Sequence, residues 1–80
     1  MEFQEAQSRL KNLSFRPLNE SLLELYGLYK QATVGNCNTS KPMFWDQKGS
    51  SKWDAWQKCH GLGQETAMDR YVNIVNGLDR

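Results

Sequence analysis

Eighty residues, 39% of them hydrophobic and 24% charged, suffice for one folded domain and exclude a second one. The formal net charge of +1 argues against general nucleic-acid binding, which usually leaves a strongly basic surface. No apolar run approaches the ~20 residues that a membrane-spanning helix needs, and the first residues lack the pattern of a signal peptide. We therefore expect one intracellular domain over residues 1–80, without stable membrane insertion.

The first two predicted helices follow from the spacing of apolar side chains. Spacings of three and four place one stripe on a helix over residues 3–13, and its members are Phe3, Ala6, Leu10 and Leu13. A second apolar helix follows Asn19, whose side chain can cap free N–H groups. It should stop at Gly35, which is suited to the left-handed position after a helix.

The second half of the chain predicts a loop and two further helices. Residues 35–47 are rich in Gly, Asn, Thr and Ser but lead into an aromatic pair, Phe44 and Trp45, which favours an ordered loop. A third helix should begin between residues 46 and 51, where Asp46 or Ser51 can cap it, and run to about residue 60. A fourth helix is predicted over residues 64–78, and no segment alternates as a strand does.

Tyrosine and lysine side chains recur at helical spacing. Tyr26, Tyr29 and Lys30 stand at i, i+3 and i+4, so a helix brings two phenols and an ammonium group to one edge. Lys48 and Lys52 repeat the i, i+4 spacing on the third helix. Phosphate groups bind where ammonium groups and hydroxyl donors converge, but spacing alone favours solvated lysines and core tyrosines.

Two further features of the helices leave alternatives open. Trp53 and Trp56 stand at i and i+3, which favours packing in a helix interface over stacking on a ligand. Gly27 lies inside the second helix, where glycine costs about 1 kcal/mol relative to alanine. It either permits the close approach of a ligand or a neighbouring helix, or is simply tolerated.

The residue types that carry metal and covalent chemistry are few. Cys37, Cys59 and His60 lack the spacing of a zinc site, and the single histidine has no catalytic serine or cysteine beside it in a recognisable motif. We therefore predict no metal, no cofactor and no covalent catalysis. The missing export signal also predicts that both thiols are free.

Three sequence blocks carry a resemblance to a known family. "YGLYKQATVGNCNTSKP", "KGSSKWDAW" and "AMDRYV" occur in this order, and together they resemble the acyl-CoA-binding protein family, also known as diazepam-binding inhibitor. The resemblance covers nearly the whole chain. It implies an all-α, four-helix up-down-down-up bundle that binds long-chain acyl-CoA without turning it over. It further implies a monomeric cytoplasmic carrier or pool-former.

The resemblance also implies which residues hold the phosphates. Tyr26, Lys30 and Lys52 match the family positions that hold the 3′-phosphate of the ribose. Lys11 matches a position that adds positive charge near the phosphates.

Further positions are implied for the adenine and the acyl chain. Tyr29 matches the position that lies against the adenine, and Tyr71 matches one that lines the nucleotide side. Leu22 and Leu23 match apolar positions that shelter the acyl chain, together with the region around Ala6 on the first helix.

The chain departs from the family pattern at a few places and leaves two rival functions. Cys59 stands where leucine is usual, and Met43 stands where many relatives have glycine. "GNCNT" and "FWD" are similar to versions fused to other domains, so the chain is expected to be one module of a larger protein. One rival is a helical protein-interaction module that has lost the ligand. The other is an acyl-CoA hydrolase, for which only His60 and the two cysteines could serve.

Overall fold

The computed structural model describes residues 1–78 and consists of four α-helices joined by loops. The helices are α1 (Phe3–Lys11), α2 (Asn19–Thr33), α3 (Gln47–Gln57) and α4 (Gln64–Leu78). The predicted all-α class is confirmed, since the described residues contain no strand. Within this part of the chain no helix has the length and hydropathy needed to cross a bilayer. The last two residues of the predicted domain, 79 and 80, lie outside the described residues.

The first helix ends two residues earlier than the periodicity predicts. Asn12 leaves the helical conformation with φ −102° and ψ 12°, and its N–H donates to the carbonyls of Ser8 and Arg9. Leu13 is nevertheless half-buried. Apolar periodicity identifies residues that face the core. A loop residue such as Leu13 can also face the core, so the periodicity continued past the end of the helix.

The ends of α2 correct one prediction and confirm another. Asn19 is the first helical residue and not the cap, because Leu18 occupies the N-cap position without a side-chain hydrogen bond. The Oδ1 of Asn19 instead accepts from Nη2 of Arg16 at 3.1 Å. At the other end Gly35 has φ +103° and its N–H donates to the carbonyl of Lys30 at 3.1 Å, as expected for a left-handed stop.

The third helix begins within the range predicted for its start, and it ends at Gln57, before the predicted end near residue 60. Asp46 is its N-cap, with a carboxylate oxygen accepting from the N–H of Gly49 at 3.0 Å. Beyond Gln57 the chain forms tight turns, with the N–H of His60 donating to the carbonyl of Gln57 at 3.0 Å. Gly61 then reverses the chain at φ +90°. The predicted end near residue 60 therefore included three residues of turn.

The helices surround a core centred on α2, which packs against both α3 and α4, while α1 packs against α4. The buried apolar side chains are Ala6, Leu25, Leu28, Ala32, Trp56, Cys59, Ala67, Tyr71 and Val75. α2 and α3 run parallel, because Tyr26 contacts Lys52 and, one turn later on both helices, Lys30 contacts Trp56. In an up-down-down-up bundle the second and third helices are parallel, as α2 and α3 are here.

Gly27 is the point where α2 comes closest to α3. A Cβ atom added to Gly27 would lie 2.7 Å from the carbonyl carbon of Ala55 and closer still to the carbonyl oxygen. Both contacts are with backbone, which cannot rotate away as a side chain can. The alternatives left open by the sequence are thereby decided: the glycine permits the approach of a neighbouring helix.

The two tryptophans of α3 hold the long loop that precedes it. Trp56 is 5% exposed, and its Nε1 donates to the carbonyl of Gly35 at 2.8 Å. Trp53 is half-buried and donates through Nε1 to the carbonyl of Thr39 at 2.9 Å. Both bonds hold residues 35–39 against α3, whereas Phe44 and Trp45, the pair from which an ordered loop was predicted, are 86% and 70% exposed.

A buried glutamine joins the two loops on either side of α3. Gln31 is 1% exposed, and its Nε2 donates to Oδ1 of Asn36 at 2.9 Å and to the carbonyl of Leu62 at 2.8 Å. The same Asn36 oxygen accepts from the N–H of Gly61 at 2.8 Å. Buried amides that make such bonds stabilise one arrangement of the chain. The bonds to Leu62 and Gly61 span 31 and 25 residues of sequence, so no local pattern indicates them.

Candidate ligand-binding site

Two lysines lie against aromatic rings at the junction of α2 and α3. The Nζ of Lys52 is 5.4 Å from the ring centroid of Tyr26, and the Nζ of Lys30 is 4.7 Å from that of Trp56. A cation–π contact of this kind is worth about 0.5–1 kcal/mol at an exposed site. The fold therefore brings three predicted residues to one junction, and we call Tyr26, Lys30 and Lys52 the clamp.

The lysines of the clamp have no anionic partner among residues 1–78, where no carboxylate lies within salt-bridge distance of Lys30 or Lys52. Lys41 differs in this respect. Its Nζ lies 5.9 Å from the ring centroid of Trp53, but it is also 3.4 Å from a carboxylate oxygen of Asp54. An ammonium group without a counter-ion is available to an external anion, so the clamp can bind a phosphate.

A cavity of about 420 Å³ opens beside the clamp. Its lining residues come from α2, α3 and the end of the preceding loop, and they are Arg16, Asn19, Leu22, Leu23, Tyr26, Lys48, Ser51 and Lys52. Three of them are cations and none is a carboxylate, so we call this space the cationic cavity. The combination of positive charge with leucine side chains suits a ligand that has an anionic part and an apolar part.

The lining includes predicted residues and others that the sequence analysis missed. Leu22 and Leu23 were predicted to shelter an apolar chain, and they line the same cavity as Tyr26 and Lys52 of the clamp. Arg16 and Ser51 were not predicted to line a site. For Ser51 a signal was available, because it stands three residues after Lys48, on the same face of α3.

A second group of aromatic rings lies between α1, α2 and α4. The ring of Phe3 stacks on Tyr29 with centroids 6.2 Å apart and meets Tyr71 edge-on at 5.0 Å. Tyr29 is 38% exposed, so part of its ring is free to contact a ligand, whereas Tyr71 is only 4% exposed. Tyr71 therefore supports Tyr29 through Phe3 and offers little surface of its own.

The predicted residues of α1, Ala6 and Lys11, lie outside the lining of the cationic cavity, as do Tyr29, Lys30 and Tyr71. Ala6 is 0% exposed and belongs to the core, so a direct contact between Ala6 and a ligand would require α1 to move. Lys11 is exposed in the last turn of α1 and lies outside the lining of the cationic cavity. Its predicted role near the phosphates needs a ligand that extends beyond this cavity.

Both cysteines are free thiols, Cys37 half-buried in the loop and Cys59 buried in the turn after α3. Burial raises the pKa of Cys59 above 9.0, the charge of Glu24 raises it further, and Arg70 opposes the shift. A thiol with a raised pKa remains protonated at neutral pH and is a poor nucleophile. Among the described residues there is no cluster of His, Cys, Asp and Glu side chains able to hold a metal ion.

Tyr71 makes stability depend on pH in the alkaline range. Burial raises the pKa of its phenol above 10.0, and the neighbouring Tyr29 raises it further. The folded state therefore holds this proton more strongly than the unfolded chain, and its contribution to stability is lost as the pH rises through the folded pKa. We expect urea denaturation to show a steeper loss of stability above about pH 10 in the wild type than in Tyr71→Phe. Equal slopes would contradict this assignment.

A four-helix fold with a cavity of cationic and apolar character between α2 and α3 defines a small ligand-binding protein. The sequence model of the family described as Acyl CoA binding protein matches residues 1–75. The chain belongs to the acyl-CoA-binding protein family, and the resemblance noted in the sequence is confirmed.

Relatives and solved structures agree with this assignment. The Acyl-CoA-binding protein homolog of Drosophila melanogaster is 43% identical over 77 residues, which cover 96% of this chain and 90% of that protein. Acyl-CoA-binding domain-containing protein 5 of Xenopus laevis is 52% identical over 72 residues, 90% of this chain but 15% of the longer protein. The crystal structure of Oryza sativa Acyl-CoA-Binding Protein 2 matches with a TM-score of 0.90 at 43% identity, covering 95% of this chain and 84% of that one. The predicted bundle fold is confirmed.

Proposed function

We propose that this chain binds long-chain acyl-CoA thioesters non-covalently and acts as an intracellular carrier or pool-former. The observation that carries the proposal is the position of the clamp, whose two lysines have no carboxylate partner among residues 1–78, beside a cavity lined by leucines. Acyl-CoA combines an anionic nucleotide with an apolar chain. The site offers one surface for each.

The nucleotide half of the proposal assigns roles to the polar residues. Lys52, Lys30 and the Tyr26 hydroxyl bind the 3′-phosphate of the ribose, for which charge-assisted hydrogen bonds supply most of the affinity. Tyr29 contacts the adenine with the exposed part of its ring, while the buried Tyr71 supports it. Lys11 attracts the remaining phosphates from the end of α1.

The acyl half of the proposal places the chain against Leu22 and Leu23. Burying a methylene group yields about 0.8 kcal/mol, whereas a hydrogen bond to a charged group yields about 1.5–3 kcal/mol. Tight binding therefore needs both halves of the ligand. Ala6 contributes by its small size, which lets α1 lie close to the rest of the bundle.

We further propose that the protein is a monomer in the cytoplasm and leaves its ligand unchanged. Hydrolysis of a thioester needs a nucleophile beside a base, and the raised pKa of Cys59 keeps that thiol protonated at neutral pH. A thioester that stays intact during long incubation with the protein would support a carrier, and release of free CoA would support a hydrolase. The rival interaction module is disfavoured, because Lys52 is exposed and not paired with a carboxylate among the described residues.

Isothermal titration with acyl-CoAs of increasing length tests the proposed function. Affinity should rise by about fourfold per added methylene until the apolar surface is filled, because each buried methylene adds about 0.8 kcal/mol. Free CoA should bind weakly. Equal affinities for CoA and palmitoyl-CoA would contradict the acyl half, and the absence of heat with every ligand would contradict the function itself.

A further inference from the structure

A second cavity, of about 620 Å³, adjoins the cationic cavity and lies between α2, α3, the segment after α3 and Arg70 of α4. Its apolar lining consists of Leu23, Leu28, Ala55, Cys59 and Leu62. Apart from Leu23, none of these side chains has a role in the site described above. A cavity of this size and lining can hold an apolar group, and we call it the tail cavity.

The tail cavity shares two lining residues with the cationic cavity. Leu23 and Ser51 line both of them, one from α2 and the other from α3. Serine is small, so α3 presents little bulk at the place where the two spaces meet. An apolar chain that lies along Leu23 in the cationic cavity is therefore at the border of the tail cavity.

The charges around the tail cavity favour a neutral group over a phosphate. Three carboxylates lie in its lining, Glu20, Glu24 and Asp54, together with Lys58 and Arg70. The positive and negative groups nearly balance, in contrast to the cationic cavity, where only positive groups occur. A nucleotide would meet repulsion from the carboxylates, whereas the end of a hydrocarbon chain carries no charge.

We propose that the tail cavity receives the distal end of the acyl chain and that Cys59 sets the chain length that it accepts. The proposal rests on the proposed function, since the chain enters from the cationic cavity. Cys59 is buried, lines the tail cavity, and donates from Sγ to the carbonyl of Ala55 at 3.5 Å. Cysteine is smaller than leucine, so a leucine at residue 59 would occupy space that the chain otherwise fills.

The first test changes the volume of residue 59. Cys59→Leu should displace about two methylenes of a long chain and lower the affinity for stearoyl-CoA roughly 15-fold, because each buried methylene is worth about fourfold. The affinity for octanoyl-CoA, whose chain is too short to reach the tail cavity, should not change. Cys59→Ala is the matched control, since it leaves the cavity open and should keep the wild-type preference. Equal losses for the two ligands, or no loss for stearoyl-CoA, would overturn the proposal.

The second test uses the native Cys59 as a reporter and does not depend on the folding of Cys59→Leu. In Cys37→Ser the remaining thiol is alkylated with iodoacetamide in the presence of thioether analogues of palmitoyl-CoA and octanoyl-CoA. Each analogue is supplied at the same multiple of its own Kd, so that both stabilise the folded state equally. A chain in the tail cavity should slow alkylation of Cys59 at least about fivefold with the palmitoyl analogue relative to the octanoyl analogue, which corresponds to covering the thiol about four-fifths of the time.

The outcomes separate this proposal from the proposed function. Slower alkylation with the long analogue alone supports the tail site. Calorimetric binding of both analogues with equal alkylation rates overturns the tail site and leaves acyl-CoA binding intact. Absence of binding heat with every acyl-CoA overturns the proposed function, and the tail site with it.

Discussion

Replacing Lys52 with alanine should weaken the binding of palmitoyl-CoA by about 1.5–3 kcal/mol, which is roughly tenfold to 150-fold. The ammonium group of Lys52 lies against the Tyr26 ring, and no carboxylate partner lies near it among residues 1–78. Its charge is therefore available to the ligand. Its removal leaves the 3′-phosphate with Lys30 and Tyr26 alone. Isothermal titration of the variant measures the loss directly.

The 3′-dephospho analogue of palmitoyl-CoA shows whether the loss arises at the phosphate that we assign to the clamp. This analogue has already lost the group that Lys52 binds, so Lys52→Ala should weaken it little. A double-mutant cycle across protein and ligand then gives a coupling energy close to the effect of the single substitution. A coupling energy near zero would rule out the clamp assignment even if the protein still binds acyl-CoA.

Lys41→Ala is the matched control for the change in charge. Lys41 also lies over an aromatic ring, that of Trp53, but it is paired with Asp54 and does not line the cationic cavity. Its removal lowers the net charge by the same amount. We expect small and equal effects on both ligands, as for an exposed pair. Discrimination between the ligands by Lys41→Ala would show that net charge, and not the clamp, determines affinity.

Replacing Gly27 with alanine should destabilise the fold by about 1–3 kcal/mol, the range typical of overpacking. The added Cβ would collide with the backbone of Ala55, so α2 and α3 would have to move apart. If Gly27 were merely tolerated, the same substitution would stabilise the helix by up to about 1 kcal/mol. Urea denaturation therefore distinguishes the two explanations by the sign of the change.

Gly77→Ala provides the comparison for Gly27→Ala within the same protein. Gly77 lies near the end of α4, and a Cβ added there has no contact within 4 Å among the described residues outside its own helix backbone and chain neighbours. This substitution should be neutral or stabilising. Gly27→Ala should also weaken palmitoyl-CoA, because the contact between Lys52 and Tyr26 spans the same pair of helices. Unchanged stability and affinity in Gly27→Ala would contradict the close approach.

Helix boundaries show which N-caps can be predicted from the local sequence and which cannot. Asp46 was predicted as one of two possible caps, and its carboxylate does accept from Gly49. Asn19 has a similar capping propensity, but its side chain accepts from Arg16 and the helix begins one residue earlier than a cap at Asn19 would place it. Capping propensity states which residues can bind free N–H groups. A competing donor nearby decides whether they do so.

For the site residues, too, the sequence indicates some relations and only the structure shows the others. The spacing of Tyr26 and Lys30 is a property of one helix, so the sequence indicates that they share an edge. Spacing alone favoured solvated lysines, and only the three family blocks made them candidates for a phosphate site. The contact of Lys52 with Tyr26, and that of Lys30 with Trp56, joins two helices and could not be read from either helix alone.

The sequence by itself determined the four helices, the turn at Gly35 and the membership of the family, because apolar periodicity, glycine conformation and ordered motifs are all carried by neighbouring residues. The tertiary structure alone decided that Gly27 admits the backbone of Ala55 and that Gln31 ties together the loops on both sides of α3. It also placed Ala6 in the core, out of contact with the cationic cavity. These outcomes depend on where helices cross, and a crossing is set by the packing of residues far apart in the chain.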